Sequence, residues 1–288
     1  MFTLPVTFFN GEQNPRISTW NTENLGGTGS ATKVILLPMS AGPTVDWGDG
    51  TVNNLNTHTY ASGGSKTVKI YGYISDWAFA DGGDKLKITD ISKVGGLLLI
   101  GSAFYGCSNM TWTATDKPIP MGSINSAFYG CTLFNGNIGN WDVSQVSNAG
   151  NAFRDCVAFN QDLSSWEVSS ITVFGNMFWG ATIFNQDLSS WDVSSATLMQ
   201  NMFRNTAFNQ DLSAWDISNV TNLTNFLNGS SFSATNYDLL LPAWEAQSVQ
   251  DSVTAHFGSA QYGAGTPATA RADLIADHTW TITDGGAA

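Results

Sequence analysis

From Phe134 to Leu227 the apolar and polar positions follow one pattern written four times: FNGNIGNWDVSQVSNAGNAF, FNQDLSSWEVSSITVFGNMF, FNQDLSSWDVSSATLMQNMF and FNQDLSAWDISNVTNLTNFL. Trp141, Trp166, Trp191 and Trp215 recur at intervals of 25, 25 and 24 residues, and Phe134, Phe159, Phe184 and Phe208 keep the same intervals. A period of this length signals stacked supersecondary units rather than one globular core. Within a copy, Leu163-x-x-Trp166-x-Val168 alternates with period two. That predicts a strand of the leucine-rich-repeat kind, with Trp and Val on one face and Glu167 on the other. Ile171, Phe174, Met177 and Phe178 then return the chain through a turn or short helix. Phe104, Phe128, Phe153, Phe178 and Phe203 recur at 24, 25, 25 and 25, so the array starts before its clearest copies; Leu227 closes it 24 residues later, and five to six rungs are expected.

Outside the array the pattern changes. Between Arg16 and Gly72, short β-rich runs are separated by Gly-rich turns, an all-β signature. Residues 84–95 read as a first rung or its cover. After Gly229, residues 237–247 and 268–276 carry helical apolar spacing, and His278 to Thr283 a short strand. This atypical segment suits a cap over the last open face.

Composition narrows the chemistry. Of the 288 residues only 12% are charged, so the polar surface is built largely from Ser, Thr, Asn, Gln and Gly. The net charge of −12 and the absence of a basic cluster argue against phosphate-mediated nucleic-acid binding. No apolar run approaches the roughly 18 residues of a membrane span. The first residues lack the basic stretch of a secretory signal, so either a leader has been removed or export uses none.

Two resemblances sharpen this. ThrValAspTrpGlyAspGlyThr (44–51), His58-x-Tyr60 and ThrValLysIleTyr (67–71) resemble the immunoglobulin-like PKD module, with its W-x-x-G-D-G turn shortened here to TrpGlyAspGly. The repeats, with AlaPheTyrGlyCys at 103–107 and 127–131 and AlaPheArgAspCys at 152–156, resemble BspA-like leucine-rich repeats of bacterial surface proteins, in the variant common in mycoplasma surface lipoproteins. The tail from Ser231 resembles the C-terminal cap of such proteins. The expected fold class is mainly β: a small Ig/PKD-like β domain, a solenoid of leucine-rich-repeat type, and a C-terminal α/β cap. The expected boundaries are an arm at 1–15, the PKD-like domain at 16–83, the repeats at 84–229 and the cap at 230–288. The resemblance implies adhesion or interaction surfaces without catalysis, and related repeats in phage proteins.

Stacking in register turns each repeated position into a ladder with about 4.8 Å between neighbours. Trp141, Trp166, Trp191 and Trp215, with Phe153, Phe178 and Phe203, are expected as the core ladder; burying one Trp contributes roughly 4–6 kcal/mol as an upper bound. Asp142, Glu167, Asp192 and Asp216 are expected to project together as a solvent-facing ladder and are the candidate ligand-binding residues. Their mutual repulsion calls for compensation by Ser and backbone donors, by bound cations or by a ligand. A second acidic row, Asp162, Asp187 and Asp211, is placed to cap backbone N–H groups. Asn151, Asn176, Asn201 and Asn225 are expected to satisfy backbone groups at a turn, and Cys107, Cys131 and Cys156 to be buried thiols. Asp46 and Asp49 invite a calcium reading against an ordinary Asx turn; no other metal site and no cofactor is expected.

Nucleophilic catalysis lacks a base, because His58, His256 and His278 all fall outside the array. Carboxylates that recur on every copy do not single out an active site. The expectation is therefore a non-enzyme: a virion or extracellular surface adhesin or receptor-binding fibre component that presents a polar face to a host-surface glycan or protein. A structural or decoration protein of a phage particle, contacting other virion proteins, and a bacterial adhesin lacking its leader are the alternatives, with self-association into a homo-oligomer as a further partner class.

Overall fold

A computed structural model describes residues 14–24 and 32–288; most of the expected arm, 1–15, lies outside the described residues. The chain opens with β1 (Arg16–Asn21), β2 (Val34–Leu36), β3 (Thr44–Asp46), β4 (Val52–Asn53), β5 (Thr57–Thr59), β6 (Ser65–Tyr71), β7 (Ile88–Lys93), β8 (Leu98–Leu99) and β9 (Thr111–Trp112). One six-stranded sheet has the order β4-β3-β6-β1-β7-β9, and β2 pairs with β5 alone. Strand β1 pairs antiparallel with both β6 and β7, and β7 then pairs in parallel with β9, Asp90 opposite Thr111. The sheet is open and takes two strands from beyond residue 83, so the expected immunoglobulin-like module does not form as a closed sandwich.

Period-two alternation drives β1: Arg16, Ser18 and Trp20 are buried and their neighbours half-buried. Trp20 meets Trp77 edge-on with ring centres 6.4 Å apart. Two kinds of charge are enclosed in this core. Lys87 and Asp84 form a fully buried ion pair at 3.2 Å, Lys87 also donating to Val34 O and Asp84 accepting from Leu36 N. Arg16 lies with its guanidinium carbon 3.1 Å from the centre of the Trp77 ring, and none of its side-chain nitrogens is hydrogen-bonded.

The repeats correct the second half of the expected fold class. After β10 (Ile119–Pro120), β11 (Gly122–Ser123) and β12 (Val146–Asn148), the copies form no further strand. Residues 163–168 are coil and turns, and the copies are joined by isolated parallel bridges, Asn148 to Val173, Val173 to Leu198 and Leu198 to Asn222, rather than by a sheet. The sheets are small and open, so a leucine-rich-repeat solenoid is not what this chain builds. The physical reason lies in the turns. Trp166 N donates to Leu163 O, Ile171 N to Val168 O and Met177 N to Phe174 O, each closing a four-residue turn that aims its apolar residues inward. Successive turns reproduce the in–out alternation that suggested a strand.

What holds copy to copy is a set of main-chain bonds across the stack. Asn151, Phe153 and Asp155 donate to the carbonyls of Gly175, Met177 and Trp179, and Asn176, Phe178 and Gly180 repeat this to Gln200, Met202 and Arg204. Phe153, Phe178 and Phe203 are fully buried and stack with centres 5.8 Å apart, and Trp166, Trp191 and Trp215 stack at 6.4 and 6.5 Å with planes within 3°. Each of these indole N–H groups donates to the preceding copy: Trp166 to Ile138 O, Trp191 to Leu163 O and Trp215 to Leu188 O. Trp141 is buried as well, 5.6 Å from Trp112.

The stack ends in α1 (Ala234–Glu245), β13 (Thr254–His256), α2 (Thr266–Ala276) and β14 (Thr281–Thr283), with β13 and β14 parallel. Ser233 caps α1, and Trp244 from that helix donates to Leu212 O, as the copies' own tryptophans do. Tyr237 and Arg271 both donate to Asp284, at 2.8 and 2.6 Å, pinning α1 and α2 to the last strand. Among the described residues no helix is long and apolar enough to cross a membrane.

Candidate functional site

The acids Asp142, Glu167, Asp192 and Asp216 are all exposed, each between a buried Trp and a buried Val or Ile. A turn rather than a pleat puts them there. Asp142 accepts from Ser144 N at 3.1 Å and Ser144 Oγ at 2.7 Å; Asp192 takes the same two bonds from Ser194 at 3.1 and 2.6 Å; Asp216 accepts from Ser218 N at 3.0 Å. The serine hydroxyl, then the serine N–H, holds the Asp142 and Asp192 carboxyls below the usual range. Serine donors thus compensate much of the repulsion. Glu167, one methylene longer, makes no hydrogen bond among the described residues. Asp216 lines a shallow groove with Ala214, Ser218, Gln247 and Ser248, where the last copy meets the cap.

The other rows have structural work. Asp162, Asp187 and Asp211 accept from the N–H two residues on, and the Ser164 N–H holds the Asp162 carboxyl low. Asn160 and Asn185 accept both from the next copy's backbone N–H and from Gln186 or Gln210, and Asn209 passes the same bonds to Ser233 and Asn236 of the cap. Asn151, Asn176, Asn201 and Asn225 hold left-handed backbone, φ 54 to 61°, a region that Asn tolerates better than most residues. Cys107, Cys131 and Cys156 are free and buried, and burial raises their thiol pKa.

The two acids weighed for calcium are engaged elsewhere. Asp46 accepts from Gly48 N at 2.9 Å and lies 3.8 Å from Lys69 Nζ; Asp49 accepts from Thr51 N and from His58 Nε2 at 2.7 Å. The His58 hydrogen bond draws Asp49 down to about 2. Among the described residues no three His, Cys, Asp or Glu side chains are grouped to hold a metal.

A family model described as "Mycoplasma protein of unknown function, DUF285" matches residues 102–207 and again 171–264, together more than half of the chain. The chain belongs to the DUF285 family. No curated protein and no solved structure matches it.

Within the DUF285 segment lies a row that the repeat consensus conceals. Tyr105, Tyr129, Arg154, Trp179 and Arg204 fill one position of successive copies, all half-buried. Tyr105 and Tyr129 stack at 4.6 Å; the Arg154 guanidinium sits 4.8 Å from Tyr129 and 3.8 Å from Trp179, and that of Arg204 lies 4.8 Å from Trp179. Three residue types share the position, so no consensus letter marks it. The available signal was the spacing itself, together with the scarcity of arginine.

Proposed function

We propose that this DUF285 chain is a non-catalytic surface adhesin or receptor-binding component whose stacked copies present a repeated polar face to a glycan or protein. The observation that carries the reading is the exposed acid row, whose regularity leaves each copy offering the same groups, with Asp216 bordering a groove. Identical side chains repeated along a stack favour avidity over a singular reactive centre. A phage-particle origin and a PKD-like role for the first strands belong to the same proposal; the His58–Asp49 pair under Trp47, with ring centres of Trp47 and His58 5.1 Å apart, supports the latter.

The test is binding of the purified chain to whole cells and to a glycan array, comparing wild type with Asp192→Ala and Asp216→Ala. Binding that weakens several-fold in both variants supports the acid face. Unchanged binding removes it. Retained assembly with no cell or glycan binding by the wild type favours the structural or decoration reading instead.

A further inference from the structure

Between residues 118 and 270 the only Lys or Arg residues are Arg154 and Arg204, and both stand in the row described above, one on each side of Trp179. On an acidic chain this is a pointed placement. The guanidiniums are held as planes. Arg154 Nη1 reaches Asn151 Oδ1 at 3.5 Å and Arg204 Nη1 reaches Asn201 Oδ1 at 3.3 Å, while both Nε atoms are buried without a hydrogen bond. The Nη2 groups and the Trp179 indole N–H make no hydrogen bond among the described residues.

Both faces of Trp179 are covered by guanidinium, so a sugar ring cannot stack on it. The row instead offers its edge, and the edge groups of Arg and Trp are donors only. Such an edge fits acceptors, and a flat, pre-oriented guanidinium fits a planar oxyanion best. Two copies separate the arginines, roughly 10 Å at the spacing of stacked strands. The groups form a line along the stack, which suits a linear polymer more than a broad protein patch. A nucleic acid is too densely charged to be matched by two cations on a chain of net charge −12.

We propose that Arg154, Trp179 and Arg204 form a binding edge for a linear acidic polysaccharide running along the stack, with a carboxylate at each arginine. It deepens the adhesin reading and rests on it, but uses a different row from the exposed acids. Asp155 tempers the site: its Oδ2 lies 3.6 Å from Arg154 Nε and competes for that guanidinium.

The experiment measures binding of a hyaluronan oligosaccharide, which carries one carboxylate per two sugars, beside its carboxyl-reduced neutral form, a sulfated polysaccharide and a single-stranded oligonucleotide. The wild type is expected to prefer the carboxylated sugar to the neutral one by about tenfold or more. Arg154→Lys and Arg204→Lys, which keep charge but lose the fork, are each expected to weaken it about tenfold, and Asp155→Asn to tighten it, with melting temperature tracked for every variant. No wild-type binding, equal binding of the neutral form, tighter binding of the sulfated polymer or oligonucleotide, or undiminished binding by both lysine variants overturns the proposal. Whole-cell binding run in parallel separates the two readings: if it survives the lysine variants and fails in Asp192→Ala, the adhesin stands and this edge does not.

Discussion

Trp20 and Trp191 are both buried, by opposite means. Trp20 meets Trp77 at 66° and gives its N–H to Ser18 Oγ at 2.8 Å, a partner peculiar to that spot. Trp191 lies between rings tilted 3° and 2° from its own and gives its N–H to the main chain of the preceding copy. In the sheet region each polar atom needs its own arrangement, and Arg16, Asp84 and Lys87 are enclosed there. In the copies the neighbouring backbone supplies the partner, and no charged side chain is buried. A single-copy core depends on particular pairs, whereas a stacked one depends on position.

The largest effect tests the stacked side. Trp191→Ala removes four ring contacts and one of the two hydrogen bonds to Leu163 O, and is expected to cost about 3–5 kcal/mol in chemical denaturation, with hydrogen exchange rising first in the flanking copies. Uniform loss of protection from β1 to α2 would show that the copies do not yield locally. On the other side of the comparison, Lys87→Met leaves the Asp84 carboxylate enclosed without its cation and is expected to cost about 3 kcal/mol. Arg16→Met removes an enclosed cation with no hydrogen bond and is expected to be neutral or stabilising in the same denaturation; a cost as large as that of Lys87→Met would mean the Trp77 contact outweighs burial of the charge.

A smaller effect comes from Asn176→Ala, which places a residue averse to positive φ at 61° and removes the acceptor of Asn201 Nδ2; about 1–2 kcal/mol is expected from the melting curve. Smallest is the pH effect at Asp192. Its carboxyl is held low in the folded chain, so the stabilisation is present above the ordinary carboxylate value of about 3.9 and is lost as pH falls through the folded value. Exposure limits it to a few tenths of a kcal/mol. Ser194→Ala should flatten that part of the stability–pH curve, and an unaltered curve would remove the serine from the account.

The repeat period and the inward Trp and Phe rows were legible because stacking demands the same residue at the same place in every copy. The outward acids were legible for the same reason. The backbone between them was not, since four-residue turns and a strand both alternate inside with outside, and periodicity alone does not separate them. The β7 side of the sheet was hidden because β7, which pairs with β1, and β9, which pairs with β7, lie far along the chain, in segments that read as the start of the array. The arginine edge was hidden by its variety: Tyr, Arg and Trp are interchangeable there only because each is flat.

The cap recognises the last copy through Leu212 O, Trp215 O and the Asn209 side chain. Every earlier full copy displays the counterparts of these groups, such as Leu188 O, Trp191 O and Asn185. Nothing in the closing segment therefore measures how many copies precede it. Gene duplication or deletion of a whole 24- or 25-residue unit would leave the closing helix a seat of the same shape, making reach an inheritable variable that recombination can lengthen or shorten without redesigning either end.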